Sequence, residues 1–476
     1  MKKLLLAVFS IATTFSLYAQ REVPQERMEQ IYEEVKTPYK YGLAVAPTDN
    51  YHKIDCPTVF RQGDKWLMTY VVYNGKGGTD GRGYETWIAE SDNLLEWRTL
   101  GRVLSYRDGK WDCNQRGGFP ALPDMEWGGS YELQTYKGRH WMTYIGGEGT
   151  GYEAVKAPLY VGLAWTKGNI STAHEWESLD KPILSIHDKD AQWWEKLTQY
   201  KSTVYWDKDK TLGAPFVMYY NAGGHHPETN LKGERVGIAL SKDMKTWKRY
   251  SGNPVFAHEA DGTITGDAHI QKMGDVYVMF YFSAFEPSRK YKAFNTFAAS
   301  YDLVNWTDWK GADLIIPSKN YDELFAHKSY VVKHDGVVYH FYCAVNNAEQ
   351  RGIAIATSKS MGRSAVRFPV PESKNRRQIM TLNEGWKTWI TEATHLKGNF
   401  MMPAKTVNIP HNWDDYYGYR QLTHGNLHGT AMYVKDFTAD VKSGKRYFLR
   451  FEGVGTYATI TVNGKNFGRH PIGRTT

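Results

Sequence analysis

Two glutamates, Glu153 and Glu234, hold matching places in the chain. Each lies in a loop shortly before an apolar segment that starts with glycine, GLAWT at 162–166 and GIALS at 237–241. Carboxyl groups that work in pairs suit acid–base displacement: one, protonated, gives its proton to a leaving oxygen, while the other, ionised, attacks carbon directly or through water. Cleavage of a glycosidic bond requires such a pair. Further ionisable side chains stand near the starts of apolar strands: Asp55, Lys201, Asp267, His327 and Lys328. Val, Ile or Ala would pack there in an ordinary core. Several charges on one axis are expected to shift one another's protonation. The loops add His225, His226 and Arg351, with Glu85, Glu148 and Glu228 read as solvated charges.

The elements that must position these residues repeat five times between Asp55 and Ser358. The second strand of each repeat is rich in Tyr and Met: KWLMTYVVYNG, HWMTYIGGEG, PFVMYYNAGG, VYVMFYFSAF and VVYHFYCAVN. Third strands follow near Ala-x-Ser, and four of them lead to Trp97, Trp176, Trp247 and Trp306. Blade-sized self-similarity with period-2 strands predicts an all-β fold, a five-bladed β-propeller, with blades at about 50–110, 111–180, 190–255, 260–315 and 320–368. Residues 21–38 read as a short helix on its outside and 40–47 as a strand closing the last blade. Aligning on the hairpin glycines Gly63, Gly138, Gly274 and Gly336 places Asp55, Ser130, Tyr200, Gly266 and His327 at one position. Cys56, Tyr131, Lys201, Asp267 and Lys328 then occupy the next.

The chain has 476 residues, enough for more than one domain. Its 33 Tyr and 17 Trp serve mostly as packing between blades, and Trp127, Trp193 and Trp194 are the candidates for stacking on sugars. The net charge of +8 is interspersed rather than blocked, which argues against nucleic acid. Met1-Lys2-Lys3, an apolar stretch and Leu-Tyr-Ala-Gln at 17–20 read as a signal peptide (residues 1–19), too short to span a membrane, so the protein is expected in the periplasm or secreted. Three cysteines, Cys56, Cys113 and Cys343, leave at least one free thiol and form no zinc-type cluster. Residues 369–378 read as a linker.

Asp55-Cys-Pro-Thr-Val, with the Gly-Asp-Lys-Trp that follows, resembles the first blade of the five-bladed propeller glycosidases of families 43, 62, 117, 130 and 137. The family 43 resemblance implies a general base at Asp55, with Lys201 near the place of that family's third-blade Asp. The fourth-blade Gly266-Asp-Ala-His269 shares only its His with the family 43 acid motif. Asp267 with His327 resembles family 117, where a fifth-blade His replaces the glutamic acid. From residue 379 onward, Gly385-Trp386, Ile409-Pro410-His411-Asn412-Trp413, Arg450-Phe-Glu-Gly and Val462-Asn-Gly464 resemble the start of the sugar-binding jelly roll of family 2 glycoside hydrolases, a partial β-sandwich cut at Thr476. A propeller followed by that module resembles family 137, the β-L-arabinofuranosidases. That resemblance implies two catalytic glutamates, which Glu153 and Glu234 supply, and a family 2 catalytic module beyond this chain. The expectation is an exported glycoside hydrolase acting on terminal furanosyl sugars of a plant polysaccharide such as pectin. Lys201, Lys328, His225, His226, Arg351, Trp127 and Trp193 would bind substrate. No cofactor or catalytic metal is required, although a structural ion in the axial channel is compatible. The alternatives are a family 130-like phosphorylase, with the lysines and His225/His226 on phosphate, and a carbohydrate-binding propeller without catalysis.

Overall fold

A computed structural model of the chain describes residues 22–75, 81–152, 157–370, 379–393, 403–412, 429–443, 446–455 and 457–471. Glu153, the signal-peptide segment and most of the 369–378 linker lie outside the described residues. The chain divides into two compact units, Met1–Glu372 and Ser373–Thr476.

The first unit begins with helix α1 (Gln25–Val35), whose apolar Met28, Ile31 and Val35 recur at helical spacing and are buried. Strand β1 (Tyr39–Val45) follows. Sheet 1 is then built from β2 (His52–Gln62), β3 (Lys65–Asn74), β4 (Tyr84–Ser91) and β5 (Arg98–Leu104). Sheet 2 takes β6 (Gln115–Pro120), β7 (His140–Gly147), β8 (Tyr160–Thr166) and β9 (Glu177–Ser178). Sheet 3 takes β10 (Thr198–Trp206), β11 (Phe216–His225), β12 (Lys232–Ser241) and β13 (Trp247–Arg249). Sheet 4 takes β14 (Ile264–Met273), β15 (Val276–Ala284), β16 (Ala293–Ser300) and β17 (Thr307–Asp308), and it touches sheet 3 through one parallel bridge, Glu234 to Ile264. Sheet 5 takes β18 (Phe325–His334), β19 (Val337–Val345) and β20 (Arg351–Thr357), and its fourth strand is β1, antiparallel to β20. A strand from the start of the chain thus completes the sheet made by the end of the unit.

Each sheet packs on the next, and the fifth packs on the first through β18 and β2. The core lies between these faces. Between sheets 5 and 1 it contains Ile54, Val59 and Met68 against Tyr330, Phe341 and Ile353; between sheets 3 and 4, Tyr219 and Ile238 against Ile270 and Tyr281. The third strands begin with glycine because an aromatic ring from the same sheet lies over them. A Cβ on Gly162 would come within 2.2 Å of the Tyr144 ring, and one on Gly237 within 2.3 Å of the Trp194 ring.

The structure corrects the alignment of two repeats. The first strand of sheet 2 is β6, so Ser130 and Tyr131 do not start it; they lie in the long connection to β7, where Gly138 closes a small separate turn between Tyr136 and Arg139. In sheet 3 the first strand carries its bulge between Gln199 and Ser202, which puts Tyr200, not Lys201, level with Cys56, Asp267 and Lys328. A hairpin glycine marks the far end of a strand, and one inserted residue breaks the count back from it.

In the second unit, β21 (Trp386–Ala393) lies between β22 (Lys405–Val407) and β23 (Gly429–Val434), and β24 (Tyr457–Val462) pairs with β25 (Lys465–Pro471). Large apolar side chains such as Phe448 and Tyr457 are exposed there. Among the described residues no helix is long and apolar enough to cross a membrane.

Gly237→Ala should lower stability by about 1–3 kcal/mol through overpacking against Trp194. Calorimetry should show a clear drop in Tm, and an unchanged Tm would mean that the ring is free to move aside.

Candidate functional site

Four of the five first strands carry the same irregularity. In β2, β10, β14 and β18 the register with the second strand slips by one residue, between Asp55 and Thr58, Gln199 and Ser202, Gly266 and His269, and His327 and Tyr330. A bulge bends its strand and re-aims the side chain it carries. In three of these bulges a non-glycine residue adopts the left-handed region: Cys56 at φ 51°, Asp267 at 55° and Lys328 at 60°. That conformation costs on the order of 1–2 kcal/mol per residue and persists where the surroundings enforce it.

Here the bulges gather charge. Asp55 is fully buried; its Oδ1 accepts the Cys56 N–H at 2.9 Å, and its Oδ2 accepts from Lys328 Nζ at 2.8 Å and from the Tyr152 hydroxyl. Arg351 lies 3.6 Å from the same oxygen and donates to the Tyr152 hydroxyl at 2.7 Å. Burial alone would push the Asp55 carboxyl up, but Lys328 and Arg351 together outweigh it and hold the group well below the usual carboxylate range. Asp55 is therefore a fixed anion, unsuited to donating a proton. Lys201 is buried, with Nζ 3.6 Å from Asp267 and 3.5 Å from the Pro57 carbonyl, which it can reach only weakly.

His327 donates from Nδ1 to the Cys343 carbonyl at 3.2 Å, since a carbonyl can only accept, and this leaves Nε2 as the unprotonated nitrogen. Burial depresses its pKa to about 3 despite the neighbouring Asp55. Asp55, His327 and Cys343 place their ligand atoms within 4.8 Å of one another. A cation there would face Lys328 and Arg351 and would have to displace Asp55 from both, so the trio fits a metal poorly. Burial also raises the Cys56 and Cys343 thiols, and all three cysteines are free.

Glu234 lies at the seam of sheets 3 and 4. Its side chain is half-buried, its N–H donates to the Thr263 carbonyl at 3.0 Å, and its Oε2 accepts from Asn221 Nδ2 at 3.1 Å. The Asn221 oxygen accepts the Asp267 N–H at 3.3 Å. A connected path of contacts thus runs from Glu234 through Asn221, Asp267, Lys201 and the Cys56–Pro57 turn to Asp55, and on to Lys328, His327 and Arg351. Tyr73, Tyr84 and Tyr152 meet edge to face beside it, with centroids 5.5–6.5 Å apart.

The remaining candidates separate. Trp127 is at the opposite end of the first strands: its N–H bonds to the Lys272 carbonyl, its indole donates to Glu34 at 2.8 Å, and its ring stacks on Phe280. A sugar near Asp55 cannot reach it, because Lys272 ends β14 far from Asp267. Glu85 is not a loop charge; it is buried in β4 and accepts from Arg102 at 3.0 Å. His225 and His226 bond within their own β11–β12 turn, to the Asn230 carbonyl and the N–H groups of Glu228 and Thr229. Trp193 meets His226 edge-on at 5.0 Å and lies under the Arg235 guanidinium, whereas Trp194 is fully buried in the core. His269 is buried, stacked on Tyr330 at 3.8 Å.

Sequence reasoning passed over Tyr152 and Asn221. Asn221 had a signal, since an asparagine inside an apolar strand runs against strand preference. Tyr152 had none, because its partners come from other sheets.

No family model and no curated protein matches the chain. Two solved structures do. One described as "Glycoside hydrolase" is 95% identical, covers 74% of this chain and 100% of its own, and superposes with a TM-score of 0.73. Another, described as a complex of BT0996 and RGII, has the same identity, coverage and score.

Burial holds His269 and His340 at about 3, against an ordinary 6.5. Between these values the unfolded state takes up more protons than the folded one, so stability should fall as pH drops below 6.5, by about 1.4 kcal/mol per pH unit for each histidine. His340→Gln should remove one proton's worth of that slope. Urea unfolding at pH 7, 6 and 5 measures it; an identical slope in the variant would show that His340 is charged in the fold.

Proposed function

We propose a substrate and a mechanism for a chain that belongs to the glycoside hydrolases: exo-removal of a terminal L-arabinofuranosyl unit from a complex plant polysaccharide by a pair of glutamates, Glu153 and Glu234. The five sheets are read as the blades of a five-bladed β-propeller, whose axial end suits a terminal sugar better than a mid-chain one. The 379–476 segment is read as the start of a sugar-binding sandwich, and the leader as a signal for export. A structure 95% identical to this chain is described as a complex with RGII, which supports a glycan of that kind as the substrate.

The observation that carries the site is the placement of Glu234. It is a half-buried carboxylate with a fixed donor, linked through Asn221 to a cluster of buried charges. Glycoside hydrolysis needs one carboxyl to protonate the leaving oxygen and one to act at the anomeric carbon. Glu153 and Glu234 take these roles. Asp55, Asp267 and His327 form the charged floor: Asp55 supplies a permanent negative charge near a developing oxocarbenium ion, and neutral His327 can accept a hydrogen bond at Nε2. Lys201, Lys328 and Arg351 hold Asp55 and Asp267 in place, and a carboxylate-bearing sugar would engage the same cations. The three cations would equally suit phosphate, so phosphorolysis is the reading to separate.

Incubation with arabinofuranosyl-terminated oligosaccharides should release free pentose without phosphate. Strict dependence on phosphate would assign a phosphorylase, and glycan binding without release would assign a binding module. Glu153→Gln and Glu234→Gln should each lower kcat by at least about 10²-fold with the fold intact by circular dichroism. Near-normal turnover in both would move the chemistry to Asp55, Asp267 and His327.

A further inference from the structure

We propose that Asn221 is a positioning residue that keeps Glu234 an ionised carboxylate, so that Glu234 is the base or nucleophile of the pair and its partner is the acid. The inference rests on Glu234 being catalytic, and it adds which of the two roles Glu234 takes.

Asn221 lies in β11, 2% exposed, and its amide is fixed from both sides. The group facing its Oδ1 is the backbone N–H of Asp267, which can only donate. The oxygen must therefore point at Asp267, and the NH2 is left to point at Glu234 Oε2, 3.1 Å away. A flipped amide would set two donors against each other at Asp267 and an oxygen against the carboxylate. The seat of the amide is equally restricted. It lies against Gly266, where a Cβ would come within 2.6 Å of Asn221 Nδ2 and 2.9 Å of its Cγ. The next residue, Asp267, takes φ 55° in the bulge that presents its N–H. Glu234 itself is pinned by its own N–H to Thr263 and by its bridge to Ile264.

A permanent donor aimed at one carboxyl oxygen favours the charged form. A proton on Oε2 would meet the amide NH2 head-on. The geometry suits a group that must be ionised when substrate arrives and works against one that must hold a proton.

The test reads Glu234 directly in the full chain. With glutamate carboxyl carbons labelled by 13C, Glu234→Gln identifies the Glu234 resonance, whose titration is then followed in Asn221→Ala and Asn221→Asp. The Asp variant keeps the shape of the side chain and serves if the Ala variant fails to fold. Removing the donor should raise the Glu234 midpoint by about one pH unit, with a larger rise in Asn221→Asp, where a second carboxylate faces the first. The acidic limb of kcat/KM should move by the same amount, with kcat falling more than KM changes. A Glu234 midpoint unmoved in both variants would overturn the proposal. Full turnover in Glu234→Gln would instead overturn the catalytic reading beneath it, and the two failures are told apart by which variant shows them.

Discussion

Taking two charges out of water costs several kcal/mol per ion, and Asp55 and Lys328 do so together at the seam where the fifth sheet meets the first. The pair is tolerable only because every lone pair and proton in reach is used. Asp55 accepts from its neighbour's N–H, from Lys328 and from Tyr152, and Arg351 closes the far side. Its four partners come from sheet 1 itself, from β18, from the loop after β7 and from the start of β20. One carboxylate therefore ties together strands that are hundreds of residues apart in the chain. Neutralising it would leave Lys328 buried beside Arg351, a far worse arrangement than either the intact pair or an apolar replacement of both.

The bulges make this pairing possible. An unbroken strand would alternate its side chains strictly between faces, and Asp55, Cys56 and Pro57 would be spread over both. The extra residue gives each first strand a local bend at one end, and in sheets 1, 4 and 5 a left-handed residue sits at that bend. Sheet 2 lacks the slip: β6 pairs with β7 without a break from Gln115 to Pro120. Its counterpart charge, Arg116, is absorbed by Asp112 and Glu175 at the rim. The strain thus sits where charged groups converge and is missing where they do not, as expected when conformational energy is held by a site rather than by the fold.

Much of the sheet pattern was legible in the sequence because it rests on local signals. Alternating strands, turn glycines and the Tyr/Met-rich second strands repeat visibly, and each third strand begins at a small residue for a reason found within its own sheet, such as Tyr144 over Gly162. Asp55, Lys201, Asp267, His327 and Lys328 also stood out, as charges where a core strand should be apolar. What stayed hidden was register. A bulge shifts the count by one without changing the composition, so Lys201 was matched to the wrong neighbours, and the long β6–β7 connection imitated a strand around Tyr131. Trp127 misled for a related reason: aromatic content indicates burial or stacking, but not at which end of a strand it occurs.

The site's carboxylates differ in how many partners each has, and that number fixes what each can do. Asp55 is saturated by cations and donors, and its charge is part of the scaffold. Glu234 accepts an amide donor rather than a buried ammonium such as Lys328, so its charge is favoured yet still open to exchange. A group clamped by full charges is too weak a base to take a proton at ordinary pH, whereas one held by a neutral donor keeps useful basicity. By that logic the asparagine is better suited than a lysine at the same position, because it orients the carboxylate without removing its reactivity. The same contrast explains why the lysines and arginine of this cluster crowd around Asp55 and Asp267 and leave the contact with Glu234 Oε2 to Asn221.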